Sequence, residues 1–155
     1  MTRFTSIYYT PTISGSSGVA TGQVLSATEA IGSSEGGYLD SVQFYNLADI
    51  TRGVTMYILG ANASVGAESA AFAMSDTGAI HVLARIQFNS GSYLDFTNNL
   101  FQVKVQGDTG ANGLGQWLRA NSPATDNKLY AALTVNSTGT KFTTGSLAFR
   151  LNFLH

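Results

Sequence analysis

The chain has 155 residues, a length that suits one domain able to bury roughly 68–70% of its unfolded surface. It contains no cysteine, which excludes a disulfide framework and thiolate metal sites. Only 11% of its residues are charged, and 8 Lys and Arg against 9 Asp and Glu leave a net charge of -1, with the cations scattered singly, so a nucleic-acid partner is not expected.

The first nine residues show no positively charged segment followed by an apolar one, so no secretory signal is expected, and no apolar run nears the ~20 residues of a spanning helix. The closing strand-like stretch runs to His155, and no targeting tail is expected. Synthesis in the cytoplasm, with no membrane partner, is the expectation. Polarity comes from Ser, Thr, Asn and Gln rather than from charge. Such a surface keeps neighbouring copies apart poorly and favours a protein that works inside an assembly.

Glycine outnumbers proline 17 to 2, which predicts turns made with positive-φ residues between short strands. Residues 1–18 read as an N-terminal extended arm or first strand, with 4–9 extended and ended by Pro11 and the Ser/Gly loop at 14–18; residues 19–155 read as a single β-sandwich domain. A short edge strand is expected at 23–25. Residues 38–45 alternate, with Val42 and Phe44 inward, and 49–53 make the return. Residues 54–59 are apolar on both faces toward their end, as in a central sheet position. Residues 61–78 are richer in Ala, and Ser75-Asp76-Thr77 is the place for a short capped helix or turn.

Residues 81–88 set Val82, Ala84, Ile86 and Phe88 on one side, and 100–106 set Phe101, Val103 and Val105 opposite Gln102, Lys104 and Gln106. A Gly-rich loop covers 107–115. Residues 128–136 form a strand with Leu129, Ala131, Leu133 and Val135 facing one way; a turn at 137–139 and a strand at 141–143 follow. The last stretch, 146–154, puts Leu147, Phe149, Leu151 and Phe153 on one face. Many short strands between glycine turns, without heptads or repeats, predict an all-β fold: an antiparallel β-sandwich, jelly-roll-like, with a closed barrel as the alternative.

Catalytic constellations do not emerge. His155 ends the chain, and His81 starts a strand without a Gly-x-Ser-x-Gly elbow or a cysteine nucleophile, so a structural or surface role is expected for it. The carboxylates Glu29, Glu35, Asp40, Asp49, Glu68, Asp76, Asp95, Asp108 and Asp126 sit mostly at turns or strand ends, where they bond backbone N–H groups. A pair of them acting in glycoside hydrolysis is a minor alternative. Residues 108–113 imitate a calcium loop at Asp108, Asn112 and Gly113, but Gly110 and Arg119 stand where ligands belong. Asn62-Ala63-Ser64 and Asn136-Ser137-Thr138 match the glycosylation pattern, which without a secretion signal is read as chance. No enzyme, cofactor or metal is expected.

The aromatic stretches Ile7-Tyr8-Tyr9, Tyr57 and Trp117-Leu118-Arg119 combine apolar area with polar handles, as interface centres do, and are the candidate protein-interface residues. Alternatively, Tyr57 or Trp117 stacks on sugar rings. An extended N-terminal arm would add as a strand to a neighbour.

Three stretches resemble a family of small structural proteins from the virions of tailed bacteriophages. They are Glu35-Gly36-Gly37-Tyr38-Leu39-Asp40-Ser41-Val42; Tyr57-Ile58-Leu59 through Asn62 to Ala70-Ala71-Phe72-Ala73-Met74-Ser75-Asp76; and Leu129-Tyr130-Ala131-Ala132-Leu133 with Phe142-Thr143-Thr144-Gly145-Ser146-Leu147 and Leu151-Asn152-Phe153-Leu154. The chain departs by lacking the Pro that follows Asn near position 62, and 107–121 fits less well. The resemblance implies a capsid decoration or cement protein on the virion exterior, a homotrimer whose partners are itself and the major capsid protein. It carries over no catalytic residues. The alternative is a phage tail, receptor-binding or carbohydrate-binding β module.

Overall fold

A computed structural model describes residues 3–14, 19–33, 37–119, 128–137, 139 and 141–155. Its elements in chain order are β1 (Phe4–Tyr9), β2 (Val24–Ser33), β3 (Gly37–Asn46), β4 (Val54–Leu59), α1 (Asp76–Ala79), β5 (Val82–Phe88), β6 (Leu94–Asp95), β7 (Leu100–Val105), β8 (Ala111–Asn112), β9 (Trp117–Leu118), β10 (Lys128–Val135) and β11 (Leu147–Leu154). They form two antiparallel sheets. One runs β1-β11-β3-β7-β6, with β9 also on β3, and the other β2-β10-β4-β5-β8.

The pairing explains the order. β1 pairs with β11, β2 with β10, β3 with β7 and β4 with β5, all antiparallel. That is one long hairpin rolled up so that successive strand pairs fall in alternate sheets, the jelly-roll arrangement. The sheets stay separate rather than closing into a barrel, and they pack face to face as a β-sandwich.

Period-2 patterning drives the packing. Leu147, Phe149, Leu151 and Phe153 of β11 and Leu39, Val42 and Phe44 of β3 point inward against Met56, Ile58, Ile86 and Phe88 of the other sheet. Phe44 is the junction: its ring lies 4.9 Å from Phe88 and 4.8 Å from Phe149. The outer face of the β2-β10-β4-β5-β8 sheet is closed by the chain itself. Val24, Leu59, Tyr130 and Ala132 there form a second cluster with Val65, Phe72 and Met74 from the segment after β4, and Tyr57 stacks on Phe72 at 4.5 Å.

The central strand at 54–59, the strands at 81–88, 128–136 and 146–154, and the capped turn at Ser75 stand as expected; Ser75 Oγ accepts from Gly78 N–H at 3.1 Å. Of the two forms expected for residues 4–9, the first strand is the one present, paired with β11 at the edge of its sheet. Two expectations change. The strand expected at 23–25 extends to ten residues as β2, whose register breaks three times against β10, so no clean alternation marks it in sequence. Residues 141–143 are not a strand, because Ser146 Oγ accepts from Thr143 N–H at 2.9 Å and folds the segment into a turn, with Phe142 buried. The loop at 15–18, Glu35-Gly36 and Thr138 lie outside the described residues.

A half-buried carboxylate also ties the two sheets together. The Glu29 carboxylate accepts from Tyr9 Oη at 2.7 Å, Thr12 N–H at 2.9 Å and Ser26 Oγ at 2.9 Å. Burial first, and the adjacent Glu29 carboxylate second, push the Tyr9 phenol well above the usual tyrosine pKa; burial does the same to Tyr93. A raised folded-state pKa means the fold favours the neutral phenol, so this stabilisation is complete below the unfolded value of about 10 and is lost as pH climbs past it. The expected result is a denaturation midpoint that falls steadily above about pH 10, with part of the tyrosinate absorbance appearing only as the fold is lost. Tyrosinate formed in full while the circular dichroism stays native would contradict it.

Candidate interaction face

Residues directly opposite one another in antiparallel strands point to the same side of a sheet, so the strand register assembles the outer face of the β1-β11-β3-β7-β6 sheet row by row. One row is Phe4, Leu154, Tyr38 and Trp117; the next is Ser6, Asn152, Ser41 and Val105; then Tyr8, Arg150, Gln43 and Val103; and last Ala148, Tyr45, Phe101 and Leu94. The second row is tied by side chains, Ser6 Oγ donating to Asn152 Oδ1 at 2.8 Å and Asn152 Nδ2 to Ser41 Oγ at 3.1 Å. Arg150 is the one charged residue of these rows, and its guanidinium lies over the Tyr8 ring at 5.3 Å. Nothing in the described chain covers this face as the segment after β4 covers the other sheet.

β7 makes the face what it is. Its alternation is as the sequence predicts, but its sides are the reverse of what hydrophobic burial favours. Gln102 and Lys104 point inward beside Phe44 and Val42 at 5% and 7% exposure, while Phe101, Val103 and Val105 point to solvent. Lys104 is accommodated because its Nζ reaches the Thr109 carbonyl at 3.0 Å. Gln102 is less well served, since its buried Oε1 has no hydrogen-bond partner among the described residues. An orphaned buried acceptor costs about 1–3 kcal/mol. Replacing Gln102 with Leu is therefore expected to stabilise the fold by about 1–2 kcal/mol, read as a higher urea midpoint at constant slope. A loss of stability would show that the amide has a partner the geometry hides.

The face also has relief. Tyr45, Leu47, Phe96, Asn99, Leu100 and Phe101 line a mostly apolar groove of about 430 Å³ at one end of it. Phe101 forms its centre, 5.1 Å from Tyr45 and 6.2 Å from Phe96. At the other end Trp117 stands 59% exposed.

The interface residues expected from sequence separate across the sandwich. Tyr8 and Trp117 lie on this face and Arg119 is exposed beside it. Tyr9 and Leu118 are buried in the core and Ile7 packs against it, because neighbouring residues in a strand point to opposite sides and a run such as Ile7-Tyr8-Tyr9 cannot present all its members outward. Tyr57 lies half-buried on the other sheet, one face of its ring stacked on Phe72. Sequence reasoning missed Phe4, Tyr45, Leu94, Phe96 and the apolar side of β7. The alternation of β7 was the available signal, but alternation marks two sides without saying which is inner.

Other candidates resolve into structure. Asp108 accepts from Val105 N–H at 2.9 Å, Asp95 from Thr97 N–H at 2.7 Å and Glu68 from Ser14 N–H at 2.8 Å, each shaping a turn or fastening a loop. His81 lines a shallow hollow of mixed polarity with Asn62, Ala63, Ser64, Ala73, Ser75 and Thr77. Among the described residues no three His, Cys, Asp or Glu gather where they could hold a metal ion. Comparison with protein-family profiles, with curated proteins and with solved structures finds no match to this chain.

Proposed function

We propose that the chain is a structural subunit of a tailed-bacteriophage particle, a decoration protein that binds the assembled major capsid protein and stabilises the head by covering surface rather than by chemistry. The observation that carries this reading is the reversed β7. A strand that hides Gln102 and Lys104 while showing Phe101, Val103 and Val105 is out of place in a molecule that stays alone in water, and in place in one whose outer sheet is covered in use. The resemblance of the Gly-Gly-Tyr, Ala-rich and C-terminal stretches to small phage virion proteins supplies the setting. The jelly roll does not choose by itself, since viral capsid and lectin domains both use it. Weak contacts suffice, because an oligomer on a repetitive shell multiplies each by effective concentration.

Mixing the purified protein with expanded capsids that lack it, then sedimenting them, is expected to bring it down at a fixed ratio to the major capsid protein. Protein left in the supernatant at every concentration would dismiss the reading. A carbohydrate-binding or receptor-binding module is the second reading, favoured by the exposed Trp117 ring beside Tyr38. Saturable binding on a glycan array, without affinity for capsids, would select it.

A further inference from the structure

The outer face carries a knob and a hole, and strand register fixes their relation. Trp117 sits opposite Tyr38 and Phe101 opposite Tyr45, both on the same side of β3. Tyr38 and Tyr45 are seven positions apart across a bulge at Asp40, and the residues facing them on β11, Leu154 and Ala148, are six apart, so knob and groove are separated by roughly 20 Å along the strands at about 3.3 Å per residue. Midway between them, in the same column, are Val103 and Val105. Consider a two-fold axis lying between two such faces and crossing the strands at these valines. It reverses direction along the strands and keeps the column, so each Trp117 lands on the other copy's Phe96 and Phe101 while valine meets valine.

We infer that this face is a homotypic interface in which Trp117 of each copy fills the Tyr45–Phe96–Phe101 groove of a second copy. The inference deepens the assembly reading by naming the partner of its apolar face, and it rests on that reading only for the premise that the face is covered in use. Three further observations fit a second copy. Phe96 and Trp117 are about 60% exposed, as are Leu94 and, more so, Phe4 and Tyr8, on one continuous face. At roughly 150–250 Å² per covered aromatic, the patch approaches the ~800 Å² per partner of a standard interface. Its paired rows hold no carboxylate, with Asp40 half-buried at the unpaired bulge of β3 between the first two rows, and their single cation, Arg150, already lies over Tyr8, so few like charges face one another when two copies meet. Sheets stacked face to face with aligned strands are also an ordinary β packing. The pairing predicts dimers, or assemblies built from dimers, in place of the trimer expected from sequence.

Trp117 is the only tryptophan, so its emission reports on this contact alone. Sedimentation equilibrium of the isolated protein is expected to give twice the chain mass in the micromolar range, with emission shifting to the blue as concentration rises. Trp117→Ala and Phe96→Ser, both at exposed positions, are each expected to weaken association at least about 30-fold while leaving the thermal unfolding curve of the monomer in place. Mixing the two variants is expected to restore part of the association, because a mixed pair keeps one intact ring in one intact groove. A monomer at all concentrations, an oligomer indifferent to both substitutions, or variants that fail to complement would each overturn the inference. Monomers that nonetheless sediment with capsids would overturn it and leave the decoration reading standing; dimers that never bind capsids would do the opposite.

Discussion

Phe44→Ala is expected to cost about 3–5 kcal/mol, the range for removing a fully buried aromatic ring from a core that cannot collapse around the hole. Phe44 projects from the centre of one sheet onto Phe88 of the other, and contacts Phe149 beside it and Tyr93 at 5.9 Å. Phe149 in turn reaches Tyr9 at 5.9 Å, so the rings form one connected stack from the edge strand to the opposite sheet. Each such pair contributes about 0.5–1.5 kcal/mol beyond the area it buries. A domain of ordinary stability holds about 5–15 kcal/mol in total, so the variant should lose a fifth or more of it and melt about 6–20 °C lower. Urea denaturation at unchanged slope is the check. A loss under 1 kcal/mol would mean that the two sheets close on the gap, and would make the stack far softer than its geometry implies.

Arg52→Ala should come next in size, at about 2–5 kcal/mol, for a different reason. Arg52 is among the largest fully buried side chains, and it acts as a clamp between loops. Its Nε donates to the Ser137 carbonyl at 2.7 Å, its terminal nitrogen donates to the Val19 carbonyl, and its own carbonyl accepts from Tyr93 Oη. Truncation leaves the buried Val19 carbonyl and the part-buried Ser137 carbonyl without that donor and opens a cavity where the stem lay. Arg52→Met fills the space without the charge, so comparing the two variants separates packing from hydrogen bonding. If the methionine variant is as stable as the parent, the bonds to Val19 and Ser137 contribute little, and the loops are held by other contacts. If both variants fall equally, the bonds dominate. Limited proteolysis near residues 19 and 137 should increase for both variants in the second case and stay at the parent's level for the methionine variant in the first.

The sandwich was legible in the chain because its inner strands obey a simple rule. β11 shows Leu147, Phe149, Leu151 and Phe153 at every second place, and β10 and β4 carry apolar residues on both sides because both of their faces are covered. β2 was less legible because three register shifts scramble its period, and its polar residue Glu29 serves buried partners rather than solvent. The interaction face was half legible. Phe101, Val103 and Val105 announce themselves as one side of a strand, but side-chain period is even and a reversal leaves the pattern unchanged. What decided the side is long-range, the register of β7 on β3, with the local reach of Lys104 to Thr109 making the inward lysine tolerable. Trp117 was found from its residue type, and its groove was not, because Phe96 and Tyr45 meet only when the roll is complete.

The rolled hairpin also sets a timetable for synthesis. Phe4 takes Leu154 as its partner and Tyr9 takes Phe149, so the first strand leaves the ribosome with its mate not yet translated. Everything between must wait or pair provisionally, and loop closure of that span makes the docking step slow. A nascent chain halted before β11 would therefore hold an unmatched edge and an open core, the condition in which chaperone capture or clumping sets in.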